Sequence, residues 1–173
     1  MKGVIADCME KLVIEKKGKN IWEKILEHAG LDKNTKFLAT QDIDDKTVMR
    51  IVDSVCTVLN KPLEKTANAF GIYWVNYYAT GIYRPYFGNS KTTKEFLMRM
   101  NEVHRQVTNN IENACPPEFE YEQPDEKTLI MTYRSKRNLM DFFIGLIKGV
   151  GKYFNEELII ARTGHNKIKI IFP

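Results

Sequence analysis

The chain has 173 residues, with 26 lysines and arginines against 22 aspartates and glutamates, a formal charge of +4. Its apolar fraction of 43% and charged fraction of 28% are those of an ordinary globular protein. They exclude a disordered, collagen-like or coiled-coil chain. At this length about 70% of the unfolded surface is buried on folding, enough for one domain with a core able to enclose a ligand. The basic excess is mild. Its one concentrated stretch, Arg134, Lys136 and Arg137, is too short for a nucleic-acid footprint. Asp7 and Glu10 interrupt the first apolar run, which excludes a signal peptide of the usual kind, and no run approaches the ~18 apolar residues of a membrane span. A cytoplasmic protein is expected. Cys8, Cys56 and Cys115 stand far apart without a CxxC pair, the spacing of reduced thiols rather than of a disulfide framework or structural zinc site.

The elements follow from periodicity. Val4, Ile5, Cys8, Met9, Leu12 and Val13 mark one helix face. A second helix holds Ile21, Trp22, Ile25 and Leu26 and stops at His28-Ala29-Gly30, a cation followed by a C-cap glycine. Asp42-Ile43-Asp44-Asp45 opens a third helix through Val58. Pro62 suits the first turn of a fourth, which carries Ala67, Phe70, Trp74 and Tyr78. Residues 81–90 read as a loop. A long helix is predicted from Thr92 to Ile111, ended by Pro116-Pro117. The period then changes to two. Residues 118–122 and 128–133 read as strands joined by a turn at 123–126. An apolar helix spans about 138–155, and 158–161 with 167–172 close the chain as a hairpin around Thr163-Gly164-His165-Asn166. Helices first and antiparallel strands later make this an α+β fold, a helical lobe over 1–62 and an α/β lobe over 63–173.

Of three histidines, His28 at a helix end and His165 in a hairpin loop read as solvated side chains. His104 differs. It lies four residues after Met100 and three before Val107, inside the apolar stripe of its helix. Two readings stand open: a core histidine bonded to a carbonyl, or a metal ligand. No zinc-type partners accompany it in sequence. A lone imidazole on an apolar face suits a heme iron, whose porphyrin supplies four donors. A second cluster is Tyr133-Arg134-Ser135-Lys136-Arg137. In an extended segment Tyr133, Ser135 and Arg137 share a face and offer a phenol, a hydroxyl and a guanidinium fork, which suits a carboxylate pair or a phosphate. The other reading is a polar strand end. Pro117 offers a stiff surface beside the helix stop.

Together, a helical histidine, a Pro-Pro about a dozen residues on, then Tyr-x-Ser-x-Arg and an apolar helix resemble the H-NOX family, the heme–nitric oxide/oxygen-binding domains related to the heme domain of soluble guanylate cyclase. Met1-Lys2-Gly3, Ala69-Phe70-Gly71, Glu102-Val103-His104 and Phe143-Ile144-Gly145-Leu146-Ile147 with Gly149 also look familial, so the resemblance covers the whole chain as a single domain. It implies a four-stranded antiparallel sheet in the second lobe and heme b between the lobes. It implies that His104 is the proximal iron ligand, that Tyr133, Ser135 and Arg137 hold the propionates, and that Pro117 presses on the heme. Met100, one turn before His104, would face the cofactor, and Ile5 would pack on the distal side. Oxygen-binding members resemble one another in a distal tyrosine five residues past the arginine. Here Phe142 stands there, and a phenyl ring donates no hydrogen bond to bound oxygen. Trp74, or Tyr73 or Tyr78 nearby, would be an alternative donor if it reached the distal side; the other reading of these aromatics is ordinary core packing. The implied function is sensing of NO and CO with oxygen excluded. The signal would pass by conformational change to a partner resembling the histidine kinases or cyclic-di-GMP enzymes of bacteria. Neither a nucleic acid nor a membrane is an expected partner. No GxSxG, P-loop or HExxH motif points to an enzyme. The competing reading from residues alone is a heme-free α+β interaction module with a surface anion patch.

Overall fold

A computed structural model describes residues 1–173. The chain divides into two compact units, Met1–Phe70 and Gly71–Pro173. None of the helices is long and apolar enough to cross a membrane.

The first unit is helical: α1 (Val4–Lys17), α2 (Lys19–His28), α3 (Asp45–Val58) and the start of α4 (Leu63–Tyr73). Its core is the set of side chains that periodicity selects, with Cys8, Met9, Trp22, Ile25, Leu26, Ile51 and Val55 nearly free of solvent. Helix ends obey local chemistry. Asp44 caps α3 by accepting the Thr47 N–H at 3.0 Å. Gly30 turns left-handed at φ 71° and lets the Leu31 N–H reach back to the Leu26 carbonyl, ending α2. His28, at that end, is exposed, and its Nδ1 meets the Ser54 hydroxyl at 3.0 Å. The Cys8 thiol is buried, which pushes its pKa up and keeps it protonated.

The second unit sets four antiparallel strands against its helices. The strands are β1 (Glu118–Asp125), β2 (Thr128–Arg134), β3 (Ile159–Arg162) and β4 (Lys167–Ile171), in the order β1-β2-β4-β3. Alternation gives the sheet an inner face: Met131 pairs with Ile168 and Leu129 with Ile170, all four with no exposed surface. Burying each such side chain stabilises the fold by about 1.5–3 kcal/mol relative to exposure. Helix α9 (Met140–Tyr153) packs there through Phe143 and Ile147.

Four expectations need correction. The helix carrying Trp74 is α-helical only to Tyr73; Trp74–Ala79 is a π-helix. The expected loop over 81–90 contains two short helices, α5 (Thr80–Ile82) and α6 (Arg84–Phe87), the second started by Pro85 in its first turn. The long helix breaks at Arg99 (φ −97°, ψ 1°) into α7 (Thr93–Met98) and α8 (Met100–Thr108). The Arg99 guanidinium bonds the Asn89 carbonyl and Ser90 hydroxyl, which holds the break. Helix α8 stops at Thr108, whose hydroxyl donates to the His104 carbonyl. Finally, β1 continues through the predicted turn as far as Asp125, with a register shift between Glu122 and Asp125.

Helices α4 and α9 meet without side chains between them. A Cβ on Gly71 would stand 2.0 Å from the Gly145 carbonyl carbon, and one on Gly149 would stand 2.4 Å from the Gly71 oxygen. Only glycine permits that approach.

Candidate heme site

Helix α8 presents Met100, Asn101 and His104 over successive turns, and Asn101 and His104 are three residues apart, on one face. Both dock on the chain entering β1. The Asn101 amide donates to the Phe119 carbonyl at 2.8 Å and accepts the Phe119 N–H at 2.9 Å. His104 donates from Nδ1 to the Pro117 carbonyl at 3.3 Å. A carbonyl only accepts, so the proton sits on Nδ1, and Nε2 carries the lone pair. Burial holds the imidazole pKa below its ordinary value, against a smaller upward pull from the Pro117 bond. The ring is therefore neutral at neutral pH with one nitrogen prepared to ligate. The bond to a carbonyl is the first of the two readings of His104 from sequence, and it leaves Nε2 as the lone-pair nitrogen that the second would need.

Around the imidazole lies an aromatic wall. His104 faces Phe119 at 5.8 Å, Phe119 stacks on Phe143 at 5.0 Å, and Phe143 stacks on Tyr133 at 5.0 Å and 14°. Phe119 and Tyr133 are cross-strand partners, which explains their approach. Met100 and Trp74 pack against the same cluster.

The Tyr-x-Ser-x-Arg motif departs from a single extended face. Strand β2 ends at Arg134, and the Ser135 hydroxyl accepts the Arg137 N–H at 3.2 Å, closing a turn. Asn138 follows in the left-handed region at φ 49°. Tyr133 is buried at 7% exposure, while Ser135 and Arg137 are half-buried. The Arg137 guanidinium donates through Nη1 to the Cys115 carbonyl at 3.0 Å. The segment Cys115–Pro117 thus receives a hydrogen bond from Arg137 at one end and from His104 at the other. Pro116 is exposed and Pro117 half-buried. Phe142 is 8% exposed in the first turn of α9. Ile5 is half-buried on α1, in the first unit.

Sequence reasoning missed Asn101. It lies in the polar stretch before Glu102 and carries no motif; an Asn three residues before a histidine signals nothing until the strand start is seen beside it. No group of three or more His, Cys, Asp or Glu side chains gathers anywhere to hold a bare ion. A single neutral imidazole, with the Arg137 guanidinium bonded to the same Cys115–Pro117 segment, fits a ligand that brings its own equatorial donors and carries anionic groups. Heme is such a ligand.

Comparison with known proteins agrees with that fit. The profile of the family described as Haem-NO-binding matches residues 2–162. Among relatives, the soluble guanylate cyclase gcy-35 of Caenorhabditis elegans is 23% identical over 171 residues, covering 96% of this chain and 25% of that protein. Soluble guanylate cyclase gcy-34 of the same animal is 25% identical over 172 residues, with the same shares covered. The chain therefore spans about a quarter of the length of these relatives. Among solved structures, an oxygen-binding H-NOX domain related to soluble guanylate cyclases superposes with a TM-score of 0.81 at 28% identity, over 99% of this chain and 95% of the other. A variant H-NOX domain of T. tengcongensis gives 0.84 at 28%, over 99% and 97%. With a profile matched over nearly its full length and a fold shared end to end with solved members, the chain belongs to the Haem-NO-binding, or H-NOX, family.

Proposed function

We propose that residues 1–173 act as one heme-based gas sensor, with heme b held by His104 through Nε2 and its carboxylates met by Tyr133, Ser135 and Arg137. The observation that carries this reading is the His104 Nδ1–H bond to the Pro117 carbonyl, which leaves Nε2 as a lone-pair donor on a half-buried, neutral ring. Heme held there would supply an iron able to take a diatomic gas, with His104 Nε2 as the protein's donor to it. The other side chains orient and exclude. Arg137 would be the fork for an anion, and its bond to the Cys115 carbonyl links it to the segment bearing Pro117. By the same reading Pro117 and Met100 would bound the proximal side, and Trp74 and Phe142 the gas side.

The gas is nitric oxide, with carbon monoxide as a second ligand, and oxygen is discriminated against. Phe142 has no hydrogen to donate, and a neutral donor is worth about 1 kcal/mol, more toward a charged acceptor. Bound oxygen, with its partial negative charge, loses most from that lack. The signal leaves through α8. Asn101 and His104 fasten this helix to Pro117 and Phe119, so a change in the pull on Nε2 would load those bonds and bias the segment. Gas binding biases it only by a difference in affinity between two states. The readout is a partner protein in a bacterial cytoplasm, a histidine kinase or a cyclic-di-GMP enzyme.

The test is the absorption spectrum of the reduced protein without air, then with NO, with CO and with air. A Soret band that shifts with NO and CO and not promptly with air supports the reading. A stable oxygen complex overturns the discrimination, and no Soret band after heme is supplied overturns the heme assignment.

A further inference from the structure

Between Trp74 and Ala79 the chain runs as a π-helix, with α-helix on both sides. A π-turn holds more residues than an α-turn, so whatever follows is rotated on the helix surface relative to an uninterrupted α-helix. Side chains support the altered register. In an α-helix the Ile72 carbonyl would receive the backbone N–H of residue 76, four positions on. Here the Asn76 side-chain amide reaches it, Nδ2 to oxygen at 2.9 Å. The same amide also donates to the Gly149 carbonyl of α9 at 3.0 Å, using its two hydrogens on two carbonyls. One turn on, the Thr80 hydroxyl donates to the Asn76 carbonyl at 3.3 Å. Side-chain bonds at a spacing of four thus run beside the backbone, and Asn76 fastens the segment to α9 where Gly149 lets the helices touch. Within the segment the Trp74 indole stacks on Tyr78 at 5.2 Å and 25°.

We propose that Asn76 is a positioning residue for the gas site. By holding the π register against α9 it sets where the Trp74 indole stands, and through the indole how the site ranks oxygen against nitric oxide and carbon monoxide. This rests on the reading above that Trp74 and Phe142 border the gas position. Asn76 itself touches no ligand.

The test combines the infrared C–O stretch of the carbon monoxide complex with amide hydrogen exchange of residues 72–80 in the heme-free protein, for Asn76→Leu, Trp74→Phe and the double variant. Asn76→Leu is expected to speed exchange about tenfold in either background, the equivalent of about 1.4 kcal/mol of lost protection. It is expected to move the C–O band in the parent and to leave it unmoved in the Trp74→Phe background. Faster exchange with an unmoved band in the parent means that Asn76 is only structural and overturns the proposal. A band that Asn76→Leu moves but Trp74→Phe does not means that Trp74 is away from the gas; the underlying placement fails, and the proposal with it. A parent protein without any C–O band overturns the heme reading itself and the proposal with it. Should Asn76→Leu not fold, Thr80→Val removes one bond at the far end; a smaller shift in the C–O band supports the proposal, and an unmoved band in the folded variant overturns it.

Discussion

Asn101 and Phe119 exchange two hydrogen bonds, the side-chain amide of one pairing with the backbone N–H and carbonyl of the other at 2.9 and 2.8 Å. The amide imitates a neighbouring strand, so helix α8 is joined to the start of β1 as a strand would be. One turn on, His104 makes its own bond to Pro117. The His104 imidazole is thus carried by a helix that a polar contact of a different residue also fastens to β1.

Removing that contact leaves two backbone groups of Phe119 without their partner. Asn101→Leu is expected to lower unfolding stability by about 1–3 kcal/mol, read as a reduced urea midpoint. It is also expected to shift the iron–histidine stretch of the reduced heme protein. A stability loss with an unmoved stretch would mean that Asn101 braces the fold without orienting His104.

His104→Gly is expected to abolish protein axial ligation and to recover it on addition of free imidazole, since the cavity left has the volume of the ring removed. An absorption spectrum identical to the parent, with no imidazole present, would remove His104 from the iron.

The His104 pKa is depressed by burial, so the folded chain binds fewer protons than the unfolded chain as pH falls below about 6.5. Stability of the heme-free protein is therefore expected to decline from that value downward until the folded ring itself titrates, and to be unaffected by this group above it. His104→Gln should flatten that part of the profile. An unchanged profile between pH 7 and 5 would place the titration on another residue.

Phe142→Tyr is expected to add a hydroxyl on the gas side and to slow oxygen release several-fold, about 1 kcal/mol or more for one new bond to a charged acceptor. Stopped-flow oxygen dissociation checks it. No gain in oxygen retention would indicate that the ring of residue 142 stands away from the gas.

Gly149→Ala is expected to destabilise the protein by about 1–3 kcal/mol or more. The added Cβ would fall 2.4 Å from a backbone oxygen, which has no rotamer to yield. A thermal midpoint within a degree of the parent would show that the two helices can separate freely.

Much of this was legible in the sequence. The helix faces of α1 to α3, the caps at Asp44 and Gly30, the inner residues of β2 and β4, and the isolation of His104 on an apolar stripe all follow from local chemistry with periods of 3.6 and 2. The polar Tyr133-to-Arg137 stretch was equally visible, because charge announces itself, whereas the helix expected to run to Ile111 and end at Pro116-Pro117 stops at Thr108. What tertiary structure alone decided depends on residues far apart in the chain. The π-helix at Trp74 needs an Asn76 amide with a carbonyl of α9 to reach. The break at Arg99 needs the backbone of Asn89 beside it. The proton on Nδ1 of His104 needs the Pro117 carbonyl. Periodicity records which face of an element is buried; it holds no record of which distant carbonyl or guanidinium that face will meet, and those meetings decide which nitrogen of a half-buried histidine keeps its proton.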